Sequence, residues 1–366
     1  ANLLASPVVS MLVVPLVLVA VAGLCLQVPG AATGLQAAEQ CLQWLFRGLE
    51  WLSGVGPVWW QQGGLDGFAL ILAVTGVFIL CLPRGVPARW LGVLWLLPLS
   101  LPGYARPDAG QVWVSLLDVG QGMSAVIQTR QYVLVYDTGA RFSDHFDAGT
   151  SVLLPYLRDR GIRKIDHLLI SHGDNDHIGG ARALLEQLPV KSIVSSVPEA
   201  FAVGRARHCY AGETWYRDRV RFEILHPGVD DSFTGNNASC VLRVSIGRQS
   251  LLLTGDIERA AEYRLLHRYG NDLESTVMTV PHHGSKTSSS GDFIEAVNPG
   301  LALVTAGYRN RYGFPKQAIM ARYRERAIPV METARHGAIT IRLTGERFHA
   351  HSHRQGQRRF WYSRHN

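Results

Sequence analysis

The first third of the chain has almost no charge. Residues 1–106 hold Arg47, Arg84, Arg89 and Arg106 against Glu39, Glu50 and Asp66, a net of +1, so +6 of the chain's +7 belongs to the remainder. A stretch so poor in charge is ill suited to cover itself with a solvated surface, which argues against a second soluble domain there and points to a membrane-facing block. No basic stretch precedes the first apolar run, which argues against a cleaved export signal. Cysteine is also scarce, with five in 366 residues, and this excludes a scaffold built on disulfides. No repeat of fixed period is evident, so a solenoid or propeller is excluded too.

Within the apolar block, VVSMLVVPLVLVAVAGLCL (8–26) is uncharged and close to the ~20 residues that cross a bilayer. FALILAVTGVFILCL (68–82) and RWLGVLWLLPLSLPG (89–103) are shorter and read as short or tilted spans, with a buried core helix as the competing reading. Between them, LQAAEQCLQWLFRGLEWL (35–52) repeats apolar residues at helical spacing and carries Trp44, Phe46 and Trp51. That pattern fits an amphipathic helix at a membrane interface as well as it fits a core helix. Arg84 and Arg89 lie in the loop between the second and third runs, which places that loop on the cytoplasmic side and residues 104–366 outside the cytoplasm. The chain begins with Ala1 rather than Met, so a fragment of a longer membrane protein is expected. The expected organisation is a membrane domain over 1–104, an α/β domain over 105–346 and a basic tail over 347–366.

Beyond residue 105 the pattern changes. VWVSLLDVG (112–120), YVLVYDTG (132–139) and KIDHLLISH (164–172) are apolar, β-branched runs that read as strands, and CVLRVSIG with SLLLTGDI reads as a hairpin. GGARALLEQL (179–188), AAEYRLLHRYG (260–270) and KQAIMARYRERA (316–327) have helical spacing. Alternating strands and helices with hairpins near both ends predict two sheets packed together with helices outside. Cys209 and Cys240 both fall in this domain. They can pair if it lies outside the cytoplasm, but two separate buried thiols are the simpler reading.

Polar clusters recur where the strands end: Asp118, Asp137, SHGDNDHIGG (171–180), Asp256 and the His282–His283 pair. Each alone is ordinary turn chemistry; together they can converge on one edge of a sheet. In the short cluster, His172 and Asp174 are two apart and can face one ion in an extended turn. Asp176 and His177, adjacent at the start of a helix, can face a second. A calcium loop is excluded, because Ile178 stands where an EF-hand needs an oxygen donor.

SHGDNDHIGG, LTGDI and PHHGS, in that order, resemble the metallo-β-lactamase fold in its HxDxDH variant. LLDVGQG (116–122), YDTG (136–139), NNASCVLRV (236–244), YRNRYGFP (308–315) and NLLASPVVSMLVVPL (2–16) are similar to the ComEC-type DNA-internalisation competence family. The resemblance implies an αββα sandwich preceded by transmembrane helices. It implies two divalent ions, with His172 and Asp174 on the first, Asp176, His177 and His283 on the second, and Asp256 bridging both. It makes His282 a neighbour that touches a phosphate oxygen or protonates the leaving group, so that Asp176, Asp256 and His282 stand at the reacting centre. Where many relatives place a further histidine, this chain reads NNAS, so Asn237, Ser239 or water would take that position. His226 is expected to be structural. Met123 and Phe314 depart from the family pattern, which often has Asp and His at those positions.

Carboxylates with imidazoles favour Mn²⁺ or Mg²⁺ relative to Zn²⁺, although imidazole keeps Zn²⁺ open. A two-ion site suits a phosphodiester, whose displacement puts charge on oxygens that the ions contact. Charge points to the substrate. The segment 347–366 carries five arginines, four histidines and no acid, so Arg358 and Arg359 are candidates to hold phosphates; a solubilising tail or an anchor to anionic lipid fits equally. Lys286 and Ser285 in GSKTSSSG either line a backbone-binding groove or belong to a plain flexible loop. The expected function is DNA uptake across the inner membrane, with one strand hydrolysed outside while the other passes a channel. DNA, the membrane, other competence proteins and an N-terminal part of the same protein are the expected partners. The rival functions are a membrane-anchored phosphodiesterase acting on a cell-wall phosphate ester and a DNA-conducting module that does not cut.

Overall fold

The computed structural model describes residues 2–54, 67–83, 85–100 and 104–356. The chain divides into a unit of residues 1–61 and a unit of residues 62–366. In the first unit a helix over Ala5–Cys25 is long and apolar enough to cross a membrane, and it packs on a second helix, Ala31–Gly54. Small residues let the two approach: a methyl group on Gly34 would come within 2.8 Å of the Ala20 side chain. Trp44, Phe46 and Trp51 of the second helix are exposed. In the other unit, the apolar helices Gly67–Cys81 and Arg89–Leu99 are shorter than a full span. Three spans were expected; among the described residues one has the length.

Two main sheets and a small hairpin follow. The strands of the first sheet are β1 Val112–Leu116, β2 Ala125–Gln128, β3 Val133–Tyr136, β6 Ile165–Ile170, β7 Val190–Ser195, β8 Ala206–His208, β16 Ile339–Leu343 and β17 Phe348–Ser352. They lie in the order β17-β16-β1-β2-β3-β6-β7-β8. A separate hairpin joins β4 Arg141–Ser143 to β5 Phe146–Asp147. The second sheet holds β9 Thr214–Arg217, β10 Val220–His226, β11 Val241–Ile246, β12 Gln249–Leu253, β13 Val277–Thr279, β14 Leu301–Val304 and β15 Val330–Glu332. Their order is β15-β14-β13-β12-β11-β10-β9. Each main sheet has an antiparallel half and a parallel half. β3, β6, β7 and β8 run parallel, as do β12, β13, β14 and β15.

Side chains from both inner faces form a core that includes Val114, Ile127, Leu134, Phe222, Leu242 and Leu251. The outer face of the second sheet buries Leu252, Met278 and Val304 against Leu265, Phe293 and Tyr323 of three helices, Arg259–Tyr269, Gly291–Val297 and Gln317–Glu325. The outer face of the first sheet does the same with Leu157 and Leu184 of the helices Leu154–Asp159 and Ala181–Gln187. The interior parallel strands β13 and β14 are buried throughout, and such strands read as near-continuous apolar runs. The αββα sandwich is the expected one.

Two features differ from expectation. Residues 348–352 are not tail: β17 pairs antiparallel with β16, Ile341 opposite Ala350, and closes the edge of the first sheet. Arg358 and Arg359 lie outside the described residues. Cys209 and Cys240 are joined as a disulfide rather than standing as two thiols. Cys209 follows β8 in one sheet and Cys240 precedes β11 in the other. The sandwich brings these buried strand ends together across the core, a proximity that a separation of 31 positions conceals in the sequence.

Candidate metal centre

The ends of the parallel strands converge at one edge of the sandwich. β6 runs into His172, β12 into Asp256, β13 into His283, β14 into Thr305, and β3 into Asp137. This is where open α/β sheets place their ligands. After β6 the chain makes a single helical turn, Asn175–Ile178, with Asp174 at its N-terminus. Main-chain contacts hold that turn: Asp176 O accepts from Met123 N at 3.1 Å, and His177 O accepts from Thr138 N at 2.8 Å. The glycine pair after it answers a space requirement, since a methyl group on Gly179 would collide with Arg141 N and one on Gly180 would lie 2.5 Å from Thr138 O.

Two overlapping sets of side chains could each hold a metal ion: His172, His177 and Asp256, and Asp176, His177 and His283, with the donor atoms of each set within 4.8 Å of one another. His177 Nε2 lies 3.2 Å from Asp256 Oδ1 and 3.2 Å from His283 Nε2. His283 Nε2 lies 3.3 Å from Asp256 Oδ2 and 3.4 Å from Asp176 Oδ2. His172, His177, Asp256 and His283 are buried, while Asp176 is partly open to solvent. Asp174 is more exposed, its Oδ2 3.6 Å from His172 Nε2, which puts it on the rim of the first set.

The imidazoles are oriented from behind. Asp137 Oδ2 accepts from His177 Nδ1 at 2.7 Å and from Ser171 Oγ at 2.7 Å. Because Ser171 gives its proton to Asp137, its oxygen accepts from His172 Nδ1 at 3.0 Å, and His172 Nε2 is left with a lone pair. That nitrogen is buried and has no hydrogen-bond partner. A buried polar atom without a partner costs about 1–3 kcal/mol, and a cation would satisfy it. His283 Nδ1 is held by Thr305 Oγ1 at 3.2 Å. With such support behind each histidine, the residues fit a divalent cation.

The cluster's electrostatics point the same way. Burial pulls the His177 pKa down, but Asp256 and Asp137 outweigh it and hold it well above the ordinary value. Burial likewise opposes charge on His283, yet Asp256 and Asp176 push its pKa up to about 9. Burial would raise Asp256, but His177 and His283 hold it well below the usual carboxylate range. Burial acts on Asp176 in the same sense, and His283 and His177 override it to bring that carboxyl down to about 2. The site therefore keeps its carboxylates charged and calls for positive charge among them.

His282 and His283 both adopt left-handed backbone, with φ of 49° and 54°, which turns His283 inward and His282 to the rim. His282 Nδ1 lies 3.1 Å from Glu258 Oε1, and its Nε2 lies 3.8 Å from Asp256 Oδ2. Glu258 is fixed in turn by Thr287 Oγ1, which donates to it at 2.7 Å. Glu258, Ser171 and Thr305 are not apparent as site residues in the sequence. Ser171 and Glu258 stand beside the recognised motifs, but their partners Asp137 and His282 sit at the ends of neighbouring strands far away in sequence, which leaves no local signal.

Other candidates take different places. Asn237 Oδ1 accepts from Glu258 N at 3.0 Å and Ala261 N at 3.2 Å, so it caps the helix Arg259–Tyr269. Ser239 Oγ donates to Asn236 O at 2.7 Å and accepts from Asp256 N at 3.1 Å. Both are engaged on the backbone that carries Asp256. Asp118 pairs with Arg354 at 3.1 Å instead of joining the cluster. His226 Nε2 bonds Asn237 O at 2.7 Å, a structural role. Met123 packs into the inner core while its amide supports Asp176, which explains an apolar side chain there. Phe314 meets His282 edge to face, ring centroids 5.7 Å apart. GSKTSSSG is not a plain flexible loop: Ser288 and Ser289 are buried, and Glu262 accepts from the amides of Ser289 and Ser290. Ser285 is buried, its hydroxyl 3.0 Å from Thr287 Oγ1, while Lys286 is exposed.

The chain is similar to known proteins. Residues 117–307, just over half of the chain, match the metallo-beta-lactamase superfamily, and residues 1–85 match the Competence protein family. The chain is 37% identical to Competence protein ComA of Neisseria gonorrhoeae over 311 residues, 84% of this chain and 43% of that one. It is 31% identical to YcaI of Escherichia coli (strain K12) over 375 residues, 99% of this chain and 47% of that one. It thus spans about half the length of these relatives. A novel metallo hydrolase from Ignicoccus hospitalis superimposes with a TM-score of 0.45 and 13% identity, covering 62% of this chain and 98% of its own. The chain belongs to the metallo-β-lactamase superfamily, and a competence-protein segment precedes its sandwich domain.

Proposed function

We propose that this chain serves DNA uptake in natural transformation, with its sandwich domain hydrolysing one strand of incoming duplex outside the cytoplasm while the membrane segment passes the other. One observation carries the reading: a buried constellation of His172, Asp176, His177, Asp256 and His283, with an uncommitted His172 nitrogen, on a chain that also bears a competence-protein segment. Two divalent ions bound there, Mn²⁺, Zn²⁺ or Mg²⁺, would supply Lewis acidity toward a phosphodiester and a nucleophilic water near neutral pH.

The chain's own residues do the rest. Asp137, Ser171 and Thr305 fix the imidazoles so that no reorganisation is needed on binding. His282, with Glu258 on its Nδ1, is placed at the rim to hold a phosphate oxygen or to hand a proton to the departing one. Lys286, exposed two residues beyond Gly284, offers a cation to the DNA backbone. The Cys209–Cys240 disulfide supports an extracytoplasmic domain, since such bonds persist in oxidising compartments.

The test uses the full chain in detergent micelles, stripped of metal and mixed with end-labelled duplex DNA. Mn²⁺, Mg²⁺ or Zn²⁺ is then added, beside an Asp176→Ala, His177→Ala double variant. Cleavage that needs metal and is lost in the variant is expected. Intact DNA with every metal would overturn the reading.

A further inference from the structure

We propose that the loop over residues 308–316 is a lip that receives an unpaired DNA strand beside the metal centre, stacking a base on Tyr312 and holding phosphates with Arg309 and Arg311. This rests on the DNA-cleaving reading and names the form of the substrate.

The loop is fastened to the site at both ends. It leaves β14 just after Thr305, the residue that supports His283. At Gly307 there is no room for a side chain, because a methyl group would lie 2.8 Å from Gln121 N, and Gly307 N donates to Gln121 Oε1 at 3.4 Å. At the far end Pro315 packs on Gly284, where a methyl group would meet the proline ring at 2.6 Å. Phe314 abuts His282. Asn310 closes the loop from within, donating to Gly307 O at 2.9 Å and to Phe314 O at 2.6 Å and accepting from Phe314 N at 3.0 Å. The loop is therefore held in one shape before any ligand arrives.

What it presents is a charged aromatic surface. Tyr312 is 44% exposed and stacks on Phe314, with centroids 5.6 Å apart and planes at 19°. The Arg311 guanidinium lies 4.8 Å from the Tyr312 ring centroid, and Lys316 Nζ lies 5.3 Å from that of Phe314. Arg309 is exposed. The segment YRNRYGFPK contains three cations and no acid. Exposed rings stiffened by stacking, with cations about them and no carboxylate, are the chemistry that grips single strands: bases stack on the rings and phosphates meet the cations. A duplex hides its base faces, so the rings select a strand that has already separated. From Phe314 the path leads directly to His282 and the ligands behind it.

The experiment uses the full chain in detergent with chelator present, so that binding is read without turnover. Anisotropy is followed with a short single strand and with a blunt duplex of the same length, for wild type, Tyr312→Ala and an Arg309→Ala, Arg311→Ala pair. Tyr312→Ala is expected to weaken single-strand binding about five-fold or more, with a smaller effect on the duplex. The arginine pair should flatten the salt dependence by roughly one phosphate contact or more. Unaltered melting temperature and metal stoichiometry show that the variants keep the fold and centre. Single-strand affinity unchanged in both variants overturns the lip, even where wild type cleaves DNA with metal. Equal weakening toward strand and duplex overturns the preference for an unpaired strand. A wild type that neither binds nor cleaves DNA overturns the cleaving reading and the lip together.

Discussion

His177 sits where two ligand sets meet, and Asp137 decides which of its nitrogens faces them. Asp137→Asn keeps the shape but no longer enforces the tautomer, so metal affinity should fall about 10–100-fold, measured by competition with a chelating dye. Protons compete with the metal. In the metal-free protein, His177 lies well above the ordinary histidine value of 6.5 and His283 near 9, so both are protonated at neutral pH. The pairing of His283 with Asp256 stabilises the metal-free fold fully below about 6.5 and is lost as pH climbs through about 9, and that of His177 is lost well above the ordinary histidine range. Metal must displace those protons, so affinity should rise between these limits by about one decade per pH unit for each proton displaced. Calorimetry in buffers of different ionisation enthalpy counts them; binding with no proton release would contradict the assignment. At the rim, Glu258→Gln removes the charge behind His282 and should lower the cleavage rate about 10²-fold with little change in bound metal.

At the scale of elements, the helix Arg259–Tyr269 starts directly behind Asp256, and Asn237 accepts two amide protons at its first turn. Asn237→Ala should therefore cost about 1 kcal/mol, within the usual range for a lost cap. A thermal melt of the metal-free protein reads that loss, and an unchanged midpoint would remove the capping role. Most elements here are legible in the chain, because strands covered on both faces must be apolar and helices covered on one must repeat at helical spacing. β2, with four residues between β1 and β3, and the small β4–β5 hairpin are too short to show a pattern, and β8, β9, β15 and β17 are not legible either. The last four are short strands at sheet edges. β17 runs Phe348, His349, Ala350 and His351, which reads as a polar end until β16 is there to pair with it.

For the whole molecule, the disulfide ties one sheet to the other across 31 positions. A loop of that size is worth about 3–4 kcal/mol, so the Cys209→Ser, Cys240→Ser double variant should melt several degrees below wild type. Reductant should lower the melting temperature of wild type and leave the variant unmoved. Equal melting of wild type and variant would show that the bond carries no stability.

The chain by itself determined the apolar block, the sandwich and the principal ligand candidates, because burial writes a periodic pattern and metal ligation demands particular residue types at short spacing. Only the tertiary structure decided what stands behind those candidates. That Asp137 orients His177, that Glu258 backs His282, that Asn237 caps a helix and that Cys209 meets Cys240 all depend on strands distant in sequence ending at the same place. The first three join the ends of neighbouring strands within one sheet, and the disulfide joins the two sheets; each links positions far apart in sequence, and no local pattern records them.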